Sequence, residues 1–342
     1  MKNDRKNGRL ELRNFYPMKK VLAFGSICCL LPVLLGVSSP EMKKQVEEEH
    51  PYDSLQMKAQ YHIIVVIDGP RWSETYGDTS YQYIPNLGNV LKKEGTLFTN
   101  FRNEGSTYTN SGHTAICTGV HQRISNEGKE LPKHPSIFQY LIKERQLDKR
   151  KAWVLTSKGK LDILANTTDK EWWNKYMPST YCGIGGSGVG YPEDKSMFPI
   201  FKDIITEHKP ILTLINFLDI DSWGHEDNWE RYLQAHRDVD SLVMELWNLV
   251  QNDPVMKNKT ALYITNDHGR HLDGHKNGFV SHGDGCEGCR HISLLAIGPD
   301  YQKNREVTTC YDQIDLTATL AAIFGLTMED AKGCPIPELL GH

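Results

Sequence analysis

Acidic and imidazole side chains stand beside several apolar runs of this sequence, at positions where they could bind metal ions. The residues are Asp68, Asp221, His225, Asp267, His268 and His282. Carboxylates gathered at one place repel each other and therefore need cations. Mixed oxygen and imidazole ligands suit zinc better than magnesium or calcium, while manganese and iron stay open. Six such ligands divide into two sites of three, each with an open position for a substrate. The sequence therefore predicts two divalent metal ions, with zinc favoured.

A nucleophile for such a centre would come from the hydroxyl-rich segment 106–119, which reads STYTNSGHTAICTG. Its candidates are Thr107, Thr109, Ser111 and Thr114. A hydroxyl that touches a metal ion at a helix N-terminus is activated as a nucleophile, and the neighbouring backbone N–H groups favour a phosphate there. The residue types thus indicate phosphoryl chemistry and leave four hydroxyls open.

Strand-like and helix-like segments alternate along the chain, as expected when helices cover both faces of a parallel sheet. Predicted strands span 61–68, 96–102, 151–157, 210–220, 260–267 and 292–299. Predicted helices span 84–95, 135–146, 198–208, 228–250 and 312–326, and a further one starts within 112–119. The predicted fold class is α/β, a three-layer α/β/α sandwich with a mainly parallel central sheet. Ligands bind such sheets at the carboxyl ends of the strands, where the candidate metal ligands lie.

Composition limits the class of protein. Of the 342 residues, 39% are hydrophobic, which is enough for a large core. The net charge of -4 comes without any Lys/Arg block, so we expect no nucleic-acid polymer as partner. A small phosphorylated substrate is the expected ligand.

The N-terminal sequence predicts export. Residues 1–39 resemble a secretory signal peptide with a possible N-terminal extension, so that Met18 could be the true start. Cys28 and Cys29 leave a lipoprotein open. A polar tether is expected at 40–60 and the catalytic domain at 61–342, with an irregular, glycine-rich cap insert around 166–197. The expected location is periplasmic or extracellular, with membrane contact only through the signal peptide or a lipid anchor.

Five motifs, in their order along the chain, resemble those of the alkaline phosphatase superfamily. They are Asp68-Gly, Thr109 four residues before His113, Asp221-x-x-x-His225, Asp267-His268-Gly and His282-Gly. The resemblance covers roughly Tyr61 to Leu326. It is closest to the nucleotide pyrophosphatase/phosphodiesterase branch and to bacterial alkaline phosphatases with a threonine nucleophile.

This resemblance implies an alkaline phosphatase-like fold with Thr109 as the nucleophile. It also implies two sets of zinc ligands. One set is Asp221, His225 and His282, and the other is Asp68, Asp267, His268 and Thr109.

The sequence departs from that pattern near the expected phosphate site. The phosphodiesterase branch usually has asparagine three residues after the nucleophile, where this chain has Gly112. Asn126 is a candidate for the family's phosphate-binding asparagine, and a turn asparagine is the alternative. Lys158 and Lys160 resemble the Lys-x-Arg pair of the threonine-type phosphatases, with lysine in the place of arginine. Two cations that face a phosphoryl group favour a dianionic monoester, whereas a solvent-exposed lysine pair is the alternative.

Other polar residues near the motifs allow more than one interpretation. Asp219 could contact and orient the metal ligands without binding a metal ion itself. His271, Asp273 and His275 could do the same or form an extra ligand set, and the supporting role is favoured. His291 is the weaker alternative to His282 as the third ligand beside Asp221 and His225.

The cysteines bear on two questions, namely disulfide formation and the sulfatase alternative. Cys286 and Cys289 form a C-x-x-C pair, for which a disulfide is expected in an exported protein rather than a zinc knuckle. Sulfatases of the same superfamily need a Cys- or Ser-x-Pro-x-Arg nucleophile motif, which this sequence lacks. Cys117 lies in an apolar helical stretch and is expected to be a buried core residue.

The sequence therefore predicts an exported two-metal phosphoesterase that hydrolyses phosphate monoesters through a phospho-threonine intermediate. One alternative is a phosphodiesterase, nucleotide pyrophosphatase or phosphoalcohol transferase with the same site. The other is a non-catalytic exported binding protein derived from an enzyme.

Overall fold

The computed structural model describes residues 55–341. The predicted signal peptide, the candidate lipoprotein cysteines and most of the predicted tether lie outside the described residues. None of the helices between residues 55 and 341 is long and apolar enough to cross a membrane.

The described chain alternates strands and helices much as the sequence predicts. The strands are β1 (Tyr61–Ile67), β2 (Gly95–Arg102), β3 (Ala152–Thr156), β4 (Ser179–Cys182), β5 (Leu212–Phe217), β6 (Thr260–Asn266), β7 (His291–Ile297), β8 (Arg305–Val307) and β9 (Tyr311–Asp312). The α-helices are α1 (Pro85–Asn89), α2 (Thr109–Thr118), α3 (Ile137–Glu144), α4 (Asp194–His208), α5 (Asp219–His225), α6 (Trp229–Asn252), α7 (Glu287–Arg290) and α8 (Gln313–Ile323).

All described strands join one sheet in the order β4-β3-β5-β1-β6-β7-β2-β8, and β9 pairs with β2. Strand β7 is antiparallel to both of its neighbours, β6 and β2, while the other pairings are parallel. The loop that enters β7 therefore lies at the same edge of the sheet as the carboxyl ends of the parallel strands.

Helices cover both faces of this sheet, which confirms the predicted three-layer sandwich. Side chains of β1 alternate between two cores: Ile64 and Val66 pack with α2, α3 and α8, whereas Ile63 and Val65 pack with α4 and α6. A strand that is buried on both faces needs apolar residues at every position, which explains the continuous run IIVVI.

Several segments differ from the predicted elements. The strand predicted at 210–220 ends at Phe217, and Asp219–His225 forms helix α5, which the sequence did not predict. The helix expected at 84–95 ends at Asn89 and continues as a 3-10 turn, Leu91–Glu94. Asp240 of α6 fixes its first turn by accepting hydrogen bonds from the backbone N–H groups of Asn86 and Leu87, at 2.9 and 2.7 Å. The range 166–197 is not wholly irregular, because it contains the edge strand β4 and the start of α4.

Candidate active site

The sheet brings the predicted metal ligands to one edge. Asp68 and Asp267 directly follow the paired parallel strands β1 and β6. Asp221 and His225 lie in α5, which starts two residues after β5 ends. His282 lies in the loop that enters β7. Residues that are far apart in the sequence meet here because parallel strands end at the same edge.

Four buried residues form what we call the inner group, namely Asp68, Thr109, Asp267 and His268. Nε2 of His268 lies 3.5 Å from Oγ1 of Thr109, 3.6 Å from Oδ1 of Asp68 and 3.3 Å from Oδ2 of Asp267. Oδ1 of Asp68 and Oδ2 of Asp267 accept no hydrogen bond from any described residue. Buried carboxylate oxygens without a donor are costly, so this arrangement fits a cation between them.

Carboxylate repulsion and a neutral imidazole in the inner group both favour a bound cation. Burial and the neighbouring Asp267 raise the pKa of Asp68 above its ordinary value, with Lys158 acting in the opposite direction. Burial lowers the pKa of His268 to about 4, so its imidazole is neutral at physiological pH. Its Nδ1 lies 2.9 Å from the carbonyl oxygen of Gly269, which places the proton there and leaves the Nε2 lone pair facing the carboxylates.

Three residues form the outer group: Asp221, His225 and His282. Nε2 of His282 lies 3.1 Å from Nε2 of His225 and 3.4 Å from Oδ1 of Asp221. Nδ1 of His282 donates to the carbonyl oxygen of Thr107 at 2.8 Å, which leaves its Nε2 as an acceptor. Burial lowers the pKa of His282 to about 3, so this imidazole is neutral as well. These two imidazole nitrogens and the carboxylate oxygen lie close together and form a set of ligand atoms suitable for zinc.

Asp221 is also in contact with two cationic side chains. Its Oδ2 lies 2.5 Å from Nζ of Lys158, and its Oδ1 lies 2.5 Å from a guanidinium nitrogen of Arg270. Burial opposes the ionisation of Asp221, but Lys158 and Arg270 outweigh it and hold the pKa well below the ordinary value. Asp221 is therefore a carboxylate throughout the physiological pH range.

Only one of the four hydroxyls in segment 106–119 reaches the ligand groups. Thr109 is the first residue of α2, and its Oγ1 faces His268 of the inner group. Oγ1 of Thr107 accepts a hydrogen bond from the backbone of Gly285, and Oγ of Ser111 accepts one from the backbone of Ile124. The geometry thus favours Thr109 among the hydroxyls that residue types alone left open.

The predicted substrate-binding residues meet beside Thr109. A cavity of about 280 Å³ is lined by Thr109, Asn126, Lys158, Lys160, Tyr191, Asp221, Ser222, His225 and Glu226. Nζ of Lys158 lies 3.4 Å from Oγ1 of Thr109 and 3.0 Å from Oδ2 of Asp68. Burial disfavours its ammonium form, but Asp221 and Asp68 raise its pKa, so the positive charge persists.

Lys160 and Asn126 hold each other at the wall of this cavity. Nζ of Lys160 donates to the backbone carbonyl of Asn126 at 3.2 Å. The side-chain oxygen of Asn126 in turn accepts from the backbone N–H of Asn110, at 3.0 Å. Asn126 therefore fixes the first turn of α2 as well as lining the cavity. Tyr191 reaches the same cavity from the predicted cap range 166–197.

Sequence reasoning missed three residues that position the ligands. Nδ2 of Asn216 in β5 contacts Oδ2 of Asp68 at 3.3 Å and Nε2 of His113 at 3.1 Å. Nδ1 of His113 lies 3.3 Å from Oδ2 of Asp267. The third residue is Arg270, described above. Each residue has a local signal in the sequence. Asn216 is a polar residue within an apolar strand, His113 belongs to the Thr-x-x-x-His motif, and Arg270 directly follows Asp-His-Gly.

The structure places the other candidate residues elsewhere. Oδ2 of Asp219 accepts from the backbone N–H of Asp194, the first residue of α4, so Asp219 supports the start of α4 and not the ligands directly. His291 stacks on Trp72 and contacts the carbonyl oxygen of Thr99, which rules it out as an alternative to His282 in this structure. Asp273 pairs with Arg71 at 2.7 Å, away from the inner and outer groups.

Gly112 stands where a side chain has no room. A Cβ at this position would lie 2.4 Å from the carbonyl oxygen of Asp267, which is backbone and cannot turn away. We expect Gly112→Ala to destabilise the protein by about 1–3 kcal/mol and to weaken metal binding by displacing Asp267. Denaturant unfolding and metal titration would measure both effects. As a control, Gly185→Ala meets no atom within 4 Å, and only its φ of +61° opposes the change. An equal loss in both variants would contradict the argument from close packing.

Comparisons with known proteins identify a family and similar solved structures. The Sulfatase family model matches residues 60–326, so the chain belongs to that family. The crystal structure of the alkaline phosphatase PafA is similar, with a TM-score of 0.62, 12% identity and coverage of 83% of this chain and 99% of that chain.

Two further solved structures are similar. The lipoteichoic acid synthase LtaP from Listeria monocytogenes has a TM-score of 0.60 and 14% identity. The alignment covers 82% of this chain and 76% of the LtaP chain. The phosphonate monoester hydrolase of Agrobacterium radiobacter has a TM-score of 0.57 and 12% identity, with coverage of 82% and 77%. These likenesses establish the alkaline phosphatase-like fold. A comparison with curated protein sequences gives no significant match.

Proposed function

We propose that this protein is an exported two-metal phosphoesterase that hydrolyses phosphate monoesters through a phospho-threonine intermediate on Thr109. The observation that carries the proposal is the position of Lys158, whose ammonium lies 3.4 Å from Oγ1 of Thr109. The signal-like sequence of residues 1–39 supports export.

Two divalent cations are part of this proposal. The inner group would hold one ion and the outer group the other. The partnerless oxygens of Asp68 and Asp267 and the converging nitrogens of His225 and His282 fit such ions. Zinc is favoured by the mixed carboxylate and imidazole donors. The ions would supply Lewis-acid polarisation of the phosphoryl oxygens and would neutralise the carboxylates.

The chain's own residues then perform the transfer. Oγ1 of Thr109 attacks phosphorus in line, and the bond to the leaving alcohol breaks on the opposite side. The ammonium of Lys158, which lies 3.4 Å from that Oγ1, would neutralise charge on the phosphoryl group as it moves to Thr109. Water hydrolyses the phospho-threonine, which releases inorganic phosphate and restores the hydroxyl.

The lysines favour a monoester over a diester. A phosphate monoester carries two negative charges near neutral pH, whereas a diester or a sulfate ester carries one. Lys158 and Lys160 add two positive charges at the cavity wall, and such charges stabilise the additional negative charge of a monoester. Burial and Lys158 lower the pKa of Lys160, but its neighbours Asp68 and Asp221 oppose that change.

The family match raises sulfate ester hydrolysis as a second candidate, but the chain has no Cys- or Ser-x-Pro-x-Arg motif. Cys117 lies in the apolar core, where burial raises the pKa of its thiol. The similarity to LtaP keeps transfer of a phosphoalcohol group as a further candidate.

The test compares hydrolysis of p-nitrophenyl phosphate, bis-p-nitrophenyl phosphate and p-nitrophenyl sulfate by zinc-loaded protein, with chelator-treated protein as control. We expect kcat/KM for the monoester to exceed that for the other two by about 10²-fold or more, and activity to vanish on chelation. A diester preference would move the protein to the phosphodiesterase alternative. Full zinc occupancy without turnover of any ester would support a binding protein instead. Mass spectrometry of the exported chain would show whether residues 1–39 are removed.

A further inference from the structure

A second cluster of metal-binding side chains lies in the loop between β6 and β7, outside the inner and outer groups. It consists of His271, His275, Asp284 and Cys286, and we call it the loop cluster. One ligand atom from each of the four residues lies within 4.8 Å of the others. We propose that the loop cluster binds a structural zinc ion.

The donor set is the first argument. A thiolate, two imidazoles and a carboxylate are all ligands that zinc accepts, and four of them close a tetrahedral structural site. Ligands at about 2.0–2.3 Å from a tetrahedral ion lie about 3.3–3.8 Å apart. The atoms of the loop cluster thus need to move by only about 1 Å to reach that geometry. The two histidines stand four positions apart and precede the cysteine, a spacing common in zinc sites.

The second argument is a buried nitrogen that lacks a partner. His271 is only 2% exposed, and its Nε2 forms no hydrogen bond within the described chain. Its Nδ1 lies 3.2 Å from the side-chain oxygen of Asn277, to which it can donate a hydrogen bond. Its Nε2 then faces Oδ1 of Asp284, an acceptor 3.2 Å away. A buried nitrogen that forms no hydrogen bond and faces a carboxylate oxygen is explained by a cation between them.

Without metal, Asp284 is held by neighbouring side chains. Its Oδ2 lies 2.6 Å from Nζ of Lys276 and 2.8 Å from Nε2 of His275. Lys276 is exposed, so its ammonium can return to water when a zinc ion takes its place. His275 is already in position as a ligand.

The cysteines are consistent with a metal site and not with the disulfide expected from the sequence. Cys286 and Cys289 are both free thiols, so the disulfide prediction is wrong for this structure. The short helix α7 separates them, and Sγ of Cys289 lies 3.7 Å from Oδ1 of Asp284, while Cys286 joins the loop cluster. A disulfide would consume the thiol that the zinc ion needs.

The position of the loop cluster suggests what the ion does. Arg270, which pairs with Asp221, directly precedes His271, and His282 of the outer group comes two residues before Asp284. Between β6 and β7 the loop has only a 3-10 turn, Gly278–Val280, and the four-residue helix α7. A zinc ion that joins both arms of this loop would hold Arg270 and His282 in place for the active site.

Cobalt substitution tests the proposal independently of the phosphoesterase activity. The inner and outer groups contain no sulfur, so a near-ultraviolet sulfur-to-cobalt charge-transfer band can come only from a thiolate ligand such as Cys286. We expect this band in the full chain reconstituted with Co²⁺ under reducing conditions, and one zinc ion per chain beyond those of the active site. Absence of the band, or a Cys286–Cys289 disulfide in the purified protein, would overturn the proposal.

Matched serine variants identify the ligand. Cys286→Ser should lose the band and one zinc ion per chain, whereas Cys310→Ser, at an exposed cysteine outside the loop, should keep both. Retention of the band in Cys286→Ser would exclude Cys286 as a ligand. Because metal content and absorbance are the readouts, the result stands whether or not the protein hydrolyses phosphate esters.

Discussion

Thr109→Ala is expected to lower kcat for p-nitrophenyl phosphate by at least about 10³-fold, because it removes the proposed nucleophile and leaves the carboxylate and imidazole ligands in place. Within residues 55–341, the polar contacts of Thr109 Oγ1 are with His268 and Lys158 alone, so the loss of the hydroxyl should cost no more than about 1 kcal/mol of stability. Steady-state kinetics and denaturant unfolding of the two proteins would measure these effects.

Thr109→Ser is the matched control. It keeps a hydroxyl at the first position of α2, so we expect it to retain activity within about 10²-fold of the wild type. Acid quenching during turnover should trap one phosphoryl group on the peptide that contains Thr109, in the wild type and in the serine variant. Trapping of the phosphoryl group on Thr109→Ala protein, or activity equal to the wild type, would show that another group is the nucleophile.

The strand ends were readable from the sequence because the local signal is simple. Continuous apolar runs such as IIVVI predict strands buried on both faces, and polar residues directly after them must lie at an edge of the sheet. Asp68 and Asp267 therefore fall where the sequence places them. Asp221 and His225 were predicted to follow a strand, but the structure places them four residues apart on one face of helix α5, which the sequence did not predict.

The supporting residues were not readable, because their roles depend on tertiary contacts. Asn216 looks like an interruption of an apolar strand until β5 is placed beside β1, where its amide reaches Asp68. Arg270 lies next to the Asp-His-Gly motif in sequence but pairs with Asp221 in α5. The hydrophobic periodicity of a sequence does not indicate which side chains fill the space between two loops.

The cysteine prediction failed for a related reason. The C-x-x-C pattern and the export signal favour a disulfide from composition alone. The partners of Cys286, however, are set by the path of the loop, which returns it to His271 and Asp284. Edge strand β4 was missed because the four residues Ser179–Cys182 give too short a pattern beside a glycine-rich stretch.

Lys158 makes the second large prediction, because its role should change with metal content. Its ammonium is buried between Asp68 and Asp221, with distances of 3.0 and 2.5 Å to their carboxylate oxygens. Removal of one partner from a buried ion pair costs about 3–5 kcal/mol, because the remaining charge lacks compensation. We therefore expect Lys158→Met to lose about 3–5 kcal/mol of stability in the chelator-treated protein.

In the zinc-loaded protein, the same substitution should cost less stability, because the metal ions take over the neutralisation of the carboxylates. In that form, Lys158→Met should mainly reduce catalysis. We expect kcat/KM for the monoester to fall by about 10²–10³-fold, with a smaller change for the diester. Parallel unfolding and kinetic measurements with and without zinc would reveal this exchange.

Lys160→Met is the matched control for charge. Lys160 lines the same cavity, but its Nζ donates to the backbone carbonyl of Asn126 and not to a carboxylate. Its removal should leave the stability of the metal-free protein within about 1 kcal/mol, yet it should lower monoester activity. If Lys158→Met destabilised the metal-free and zinc-loaded proteins equally, the lysine would be a fixed structural ion pair. Its ammonium could then not turn from Asp68 and Asp221 to a phosphoryl group, and the preference for monoesters would need another cause.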